Sequence, residues 1–156
     1  MSYELFNRWY RSPLFWELLF IDRITKLIAY HMFLHRPLII TQSLAFDCTF
    51  NRGVAWSLFA SSGSVFYAFI TGATLALLII IAKYTSDRQK QGYSVIGETL
   101  LLSGGLSNFI DRLVWHAVVD FIKISYGFWT FPIFNVADIA ITVGGCIILY
   151  QFFFDE

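Results

Sequence analysis

The chain has little charge and very little cysteine. Asp, Glu, Lys and Arg make up 14% of its 156 residues, and the formal net charge is zero. An average soluble domain carries about 25% charged residues. With no basic field to attract a polyanion, nucleic acid is not expected as a partner. The two cysteines, Cys48 and Cys146, stand far apart and in no CxxC pattern, which argues against a disulfide scaffold or a cysteine-based metal site. The three histidines, His31, His35 and His116, form no HExxH motif, so a zinc protease is unsupported. There is no GxSxG elbow and no glycine-rich phosphate loop before a helix. The first apolar run is not followed by a small-residue cleavage site, and it reads as a retained helix behind a short cytoplasmic leader.

What is present is apolar surface. Hydrophobic residues reach 57% and aromatic residues 19%, with a mean hydropathy of +0.62. A spanning helix needs about 20 mostly apolar residues. Four segments qualify, at about 13–33, 64–82, 93–113 and 135–154. They predict a single membrane domain over 1–156, an all-α polytopic fold of four transmembrane helices. The polar run KYTSDRQKQ, from Lys83 to Gln91, reads as a connector. The mixed, aromatic-rich stretches 34–63 and 114–134 read as loops on one side. With the N-terminus inside, the cytoplasmic segments hold Arg8, Arg11, Lys83, Arg88 and Lys90, and the outer loops hold Arg36, Arg52 and Lys123. This bias favours both termini inside. Trp56, Tyr126 and Trp129 then suit headgroup level. In the first outer loop, β-branched and aromatic residues interrupted by Asn51-Arg52-Gly53 suggest a short hairpin lying on the membrane. The second loop suggests an interfacial amphipathic segment.

Ionisable groups inside apolar runs are functional candidates, because each costs at least a few kcal/mol near the bilayer centre. Asp22 and Lys26 are spaced i,i+4 in FIDRITKLIAY and can pair on one face. Gly104, Asn108 and Asp111 share a face of the third segment, with Arg112 directly after. An Asp111–Arg112 pair would be structural, because a carboxylate beside a strong cation is a poor proton carrier. Glu17 and Glu98 read as polar exceptions facing the bundle interior, with no role assigned.

Asp120, in AVVDFIKI, and Asp138, in FNVADIAITVGG, have no adjacent strong cation. Asn135 is a plausible N-cap with Asp138 at N3, so capping alone would account for Asp138. Asn135, Asp138, Thr142 and Gly145 fall on one face. In the orientation above, both aspartates reach one outer-leaflet pocket near Asn108, Asp111 and Arg112. Two carboxylates in a partly dry site share a proton, which suits metal-free acid–base peptide hydrolysis. The rival from another class is a small transporter or proton-conducting subunit. Its acids should lie near mid-membrane, with repeats or broken helices, and no repeat is found.

The segments IDRITK, NRGVAWSLF, GGLSNFIDR followed by VVDFI, and FNVADIAITVG occur in that order. Together they resemble the motifs of the lipoprotein signal peptidase (signal peptidase II) family, four-helix membrane aspartic peptidases. The match spans about Asp22 to Gly145. The resemblance implies a catalytic pair at Asp120 and Asp138. It also implies supporting residues at Asp22, Lys26, Asn51, Gly53, Asn108, Asp111, Arg112, Asn135 and Ala137, with no metal and no cofactor. It implies a small extracytoplasmic β-cradle, a location in the bacterial inner membrane among membrane lipids, and prolipoprotein substrates carrying a diacylglyceryl cysteine. The cut would fall on the amino side of that cysteine. Three positions depart from the family pattern. Arg23 stands where a polar uncharged residue is usual, Val54 replaces a common Ala, and Trp56 a common Phe.

Overall fold

A computed structural model describes residues 8–52 and 64–154. Gly53, Val54 and Trp56 lie outside these residues. Four helices carry most of the chain: α1 (Pro13–Phe33), α2 (Ser64–Lys90), α3 (Ile96–Trp115) and α4 (Val136–Phe154). Four antiparallel strands, β1 (Leu38–Ile39), β2 (Leu44–Asn51), β3 (Val118–Tyr126) and β4 (Trp129–Thr130), form one sheet in that order.

The local chemistry explains the boundaries. Pro13 opens α1, where its missing N–H is no loss. α3 ends at His116, a non-glycine residue in the left-handed region at φ 53°. That turn reverses the chain within two residues, so β3 starts at once against the end of α3. Gly127, at φ 58°, turns β3 into β4.

α3 is the centre of the bundle and touches α1, α2 and α4. Glycines set its approach to α4. A Cβ on Gly97 would lie 2.9 Å from the Gly144 carbonyl oxygen, and one on Gly144 would lie 2.5 Å from the Gly97 oxygen. Gly104 meets the Ala137 carbonyl in the same way. Small residues thus let two backbones touch, the usual basis of helix association in lipid.

The distribution of side chains is inverted relative to a soluble protein. Large apolar residues such as Phe20, Leu27, Phe69, Ile80 and Phe152 are exposed, while Asp22, Lys26, Glu98, Ser107, Asp111 and Asn135 are buried. A small apolar core of Ala29, Cys48, Val119 and Phe121 joins α1 to the sheet. Two helical stretches, Tyr67–Lys90 and Val136–Phe154, are long and apolar enough to cross a membrane. α1 and α3 have the length, 21 and 20 residues, but they carry the buried charges.

Four expectations from the sequence need correction. The polar run at 83–91 is helical through Lys90, because α2 continues for 27 residues. The first outer segment does form a hairpin, but its turn lies at 40–43. Thr41 Oγ1 there accepts the Ser43 and Leu44 amides, and Asn51 instead ends β2. The second outer segment, read as a loop, is strand over Val118–Tyr126, because β3 has β2 and β4 as hydrogen-bonding neighbours. Glu17 is exposed rather than turned inward.

Candidate active site

The middle of α1, the C-terminal end of α3 and the N-terminal end of α4 meet the β2–β3 pair in one polar cluster. Asp22, on α1, receives three donors. Its Oδ1 accepts the Ala137 amide at 2.7 Å, in the first turn of α4. Its Oδ2 accepts Ser107 Oγ at 2.6 Å and lies 2.7 Å from Lys26 Nζ. Asp22 therefore ties three helices and supplies a carboxylate to the positive end of α4. The i,i+4 pair expected of Asp22 and Lys26 is formed.

Lys26 has 1% of its side chain exposed, so its charge survives only through its partners. They are Asp22, Asp111 Oδ2 at 2.8 Å and Asn108 Oδ1 at 2.8 Å. Asp111 is buried and does not pair with Arg112. Its Oδ1 lies 2.5 Å from Arg23 Nη2, and its Oδ2 accepts the Val119 amide at 3.1 Å. Consecutive residues on a helix point in different directions, so Arg112 cannot turn back onto Asp111. Arg112 offers its backbone carbonyl to the Tyr67 hydroxyl, and its Nε and Nη1 are buried with no partner among the described residues.

Asn135 caps α4, and the cap is reciprocal. Its Oδ1 accepts the Asp138 amide at 2.9 Å, while Asp138 Oδ2 accepts the Asn135 amide at 3.2 Å. This is a capping box. Asp138 also has a second engagement: its Oδ1 accepts Asn108 Nδ2 at 2.8 Å. The Asn135 side-chain amide donates to Asp120 Oδ1 at 2.6 Å, and Asn51 donates to Asp120 Oδ2 at 3.0 Å. One asparagine therefore links Asp120 on β3 to Asp138 on α4. Antiparallel pairing places Asp120 opposite Thr49 and Val118 opposite Asn51. β2 thereby delivers Asn51 to the site.

Asp120 is 2% exposed. Burial, and then the negative charge of Asp138, push its carboxyl up to about 7; the Asn51 and Asn135 amides and Lys26 pull the other way. The nearby Cys48 thiol is pushed up to about 11, by burial and then by Asp47 and Asp120, and stays neutral at pH 7. Such a pair of carboxyls can hold one proton between them near neutral pH.

The structure brings nine of the eleven residues singled out from the sequence into this cluster; Gly53 lies outside the described residues, and Arg112 bonds Tyr67 on α2 instead. Ala137 contributes its amide. The face shared by Asn135, Asp138, Thr142 and Gly145 is not the packed one. Ala137, Ala140 and Gly144 are buried, whereas Thr142 is exposed. Sequence reasoning missed Arg23 and Ser107 as members of the cluster. Ser107 lies next to Asn108 in an otherwise apolar helix, and Arg23 directly follows Asp22, so both were visible but had no visible partner.

A family profile described as Signal peptidase (SPase) II matches residues 14–154. The chain is 34% identical over 152 residues to a lipoprotein signal peptidase of Teredinibacter turnerae, covering 94% of this chain and 88% of that one. It is 32% identical over 135 residues to a lipoprotein signal peptidase of Burkholderia mallei, covering 83% and 79%. Among solved structures, a bacterial membrane enzyme determined at 2.3 Å superposes with a TM-score of 0.68 at 31% identity, covering 90% of this chain and 85% of that one. A second, at 1.9 Å, gives 0.64 at 28% identity, covering 91% of each. Over nearly its whole length, this chain belongs to the signal peptidase II family.

Proposed function

We propose that this chain is a membrane aspartic endopeptidase that removes the signal peptide from diacylglyceryl-modified prolipoproteins, cutting on the amino side of the lipidated cysteine. Family membership supports the enzyme class. The observation that carries the mechanism is the Asn135 bridge, which holds Asp120 and Asp138 in one buried network without a Lys or Arg bonded to either among the described residues.

In this reading, one carboxylate takes a proton from a water held between the pair. The water oxygen attacks the scissile carbonyl carbon, and the other carboxyl gives its proton to the carbonyl oxygen. Collapse of the tetrahedral intermediate breaks the C–N bond, and the proton taken from water passes to the departing amine. Asn108, Asn51 and Asn135 hold the carboxyls and offer amide groups to the peptide. Asp22, Lys26 and Asp111 fix the frame, to which Ala137 adds its amide; Gly53 and Arg112 are supporting residues on the family resemblance alone. Neither metal nor cofactor has a part in this scheme.

The chain acts as one membrane domain with four crossings, α1 and α3 hiding their charges against each other and α4. The inverted burial pattern and the pairing of Arg23 and Lys26 with α3 support this. The sheet and the site lie at the outer face. There the exposed Tyr126, Phe128, Trp129 and Phe131 meet headgroups and membrane lipids. A cysteine placed at position 88 that is labelled from the outside would overturn this orientation.

The reaction is tested with purified protein in lipid and a synthetic prolipoprotein segment, with and without the diacylglyceryl group on its cysteine. Mass analysis should find a cut on the amino side of the lipidated cysteine and little cleavage of the unlipidated segment. Equal cleavage of both, or a cut elsewhere, would remove the assigned substrate class.

A further inference from the structure

Arg23 is the charged member of the polar cluster that the catalytic scheme leaves unused. Its guanidinium reaches across from α1 to α3 and makes two bonds there. Nη2 holds Asp111 Oδ1 at 2.5 Å, and Nη1 donates to the Ser107 carbonyl at 3.1 Å. Its side chain is 27% exposed, while Asp111 is fully buried.

The consequences follow the bonds outward. Asp111 turns one oxygen to Arg23 and the other to two groups of different purpose, Lys26 Nζ and the Val119 amide. Val119 is the residue before Asp120 on β3. Its amide, bonded to Asp111, fixes the height of the strand, and its carbonyl accepts the Asn135 side chain at 3.3 Å. A fork that holds Asp111 by one oxygen therefore holds the backbone from which Asp120 projects. Arg is suited to this because its planar group presents two donors in fixed geometry.

Charge makes the second link. Lys26 lies between Asp22, Asp111 and Asn108, and Asn108 bonds Asp138. If Asp111 lacked Arg23, its charge would fall on Lys26 alone, and Lys26 would be drawn from the Asn108 side. The groups facing the Asp120–Asp138 pair are few. α1 contributes Asp22 and Lys26, with Arg23 behind; α3 contributes Asp111; β2 contributes the neutral Cys48 thiol, with Asp47 beside it. Lys123 on β3 is engaged by Asp47 at 3.2 Å. Among the described residues, Lys26 and Arg23 form ion pairs with Asp22 and Asp111, and Asp120 and Asp138 form none. Lys26 bears on Asp120 directly, and Arg23 bears on it through Asp111, which it shares with Lys26.

We propose that Arg23 is a positioning residue for peptide cleavage: by clamping Asp111 it sets the register of the strand bearing Asp120 and keeps Lys26 turned toward Asn108 and Asp138. The inference rests on the aspartic reading above.

The test compares Arg23→Gln and Arg23→Lys with the unaltered enzyme, measuring kcat on the lipidated prolipoprotein segment from pH 5 to 9, per folded molecule. Arg23→Gln should lower kcat roughly tenfold, in keeping with small misplacements of a catalytic group. It should also move the alkaline limb of the profile upward by at least about half a pH unit, because losing a cation favours the protonated pair. Arg23→Lys should leave the limb in place and still lose several-fold in kcat, since an ammonium cannot reproduce the fork. Glu17→Gln, at an exposed position of the same helix, should match the unaltered enzyme. The inference is overturned if Arg23→Gln keeps both kcat and limb, if its loss is confined to folded yield, or if Arg23→Lys moves the limb as far as Gln does. Should Arg23→Gln not fold, Arg23→Lys decides alone, and full turnover in that variant overturns the inference. Asp120→Asn in the same assay separates the two readings. If it remains active, the aspartic reading has failed; if it is inactive while Arg23→Gln is normal, only the role of Arg23 has failed.

Discussion

Two buried ionic clusters sit at opposite ends of α3, and they are built on different ratios. At the N-terminal end, Glu98 is fully buried and meets Arg88 Nη1 at 2.6 Å. The guanidinium also reaches Gln151 Oε1 at 3.5 Å and lies near the rings of Tyr84 and Tyr93, at 5.9 and 5.2 Å. One acid faces one base, and aromatic faces support the cation. That cluster joins the end of α2 to α3 and α4 and is electrically closed. At the C-terminal end there are four carboxylates and two cations: Asp22 and Asp111 form ion pairs with Lys26 and Arg23, and Asp120 and Asp138 form none among the described residues. Burial and the charge of Asp138 push the Asp120 carboxyl up to about 7, so it can hold a proton near neutral pH. A balanced buried pair fixes a fold, whereas an unbalanced one retains a group able to exchange a proton.

The sharpest way to break this contrast is to neutralise the acids. Asp120→Asn and Asp138→Asn should each lower cleavage by about 10²–10⁴, the range for losing an acid–base group. The double variant should be little worse than either single one, because the two act as a unit. Asn at 138 can still present an oxygen to the Asn135 amide, so α4 should keep its cap. Cleavage rate measured against folded yield decides the matter. If Asp138→Asn turns over normally, Asp138 is only half of a capping box, and the C-terminal cluster is as structural as the other.

The opposite pattern is expected at the far end. Arg88→Ala leaves the Glu98 charge buried without its partner, a loss of about 3–5 kcal/mol for a fully buried pair and somewhat less here because Arg88 is partly exposed. The molecules that do fold should cleave at the normal rate. Chemical denaturation in mixed micelles, followed by cleavage per folded molecule, checks both halves. A fall in kcat as large as the fall in stability would mean the two ends are coupled through α3.

How much of this was legible in the sequence depends on how local the cause is. The i,i+4 pair of Asp22 and Lys26 and the Asn135 cap of Asp138 lie within one helical turn, and both were readable. The contacts of Asp111 were not. Its neighbour Arg112 was the obvious partner, but helical geometry points the two apart, and the actual partner, Arg23, lies 88 residues away. The strand identity of 118–126 was hidden for a similar reason. Alternation in VVDFIKISY fits either a surface segment or a strand until β2 is known to lie beside it. The helical run through Lys83–Lys90 was missed because polarity was read as a break, although residues of high helix propensity continue a helix past the apolar span. The aspartates stood out because neither has a strong cation directly beside it, with Lys123 three residues from Asp120, and that is itself a local fact.

The smallest expected effect concerns pH and distinguishes the clusters by sign. The Asp120 carboxyl is raised to about 7 in the fold from an ordinary value of 3.8. Between those values the folded protein binds the proton and the unfolded chain does not. Stability from this group is therefore fully present below about 4 and is lost as pH rises through 7. Asp120→Asn removes the charge that burial penalises, so the variant should lose that downward slope and be the more stable form at pH 8. The gain is held to on the order of 1 kcal/mol, because the Asn amide must orient its oxygen toward the Asn51 and Asn135 donors and leaves one donor less well matched. The Arg88–Glu98 end should give no such gain at any pH, since removing either charge there strands the other. Thermal unfolding in lipid at pH 6 and pH 8 reads the difference. A variant equally less stable at both values would mean that Asp120 is held as a paired structural carboxylate, and that the excess of acid at the site carries no proton.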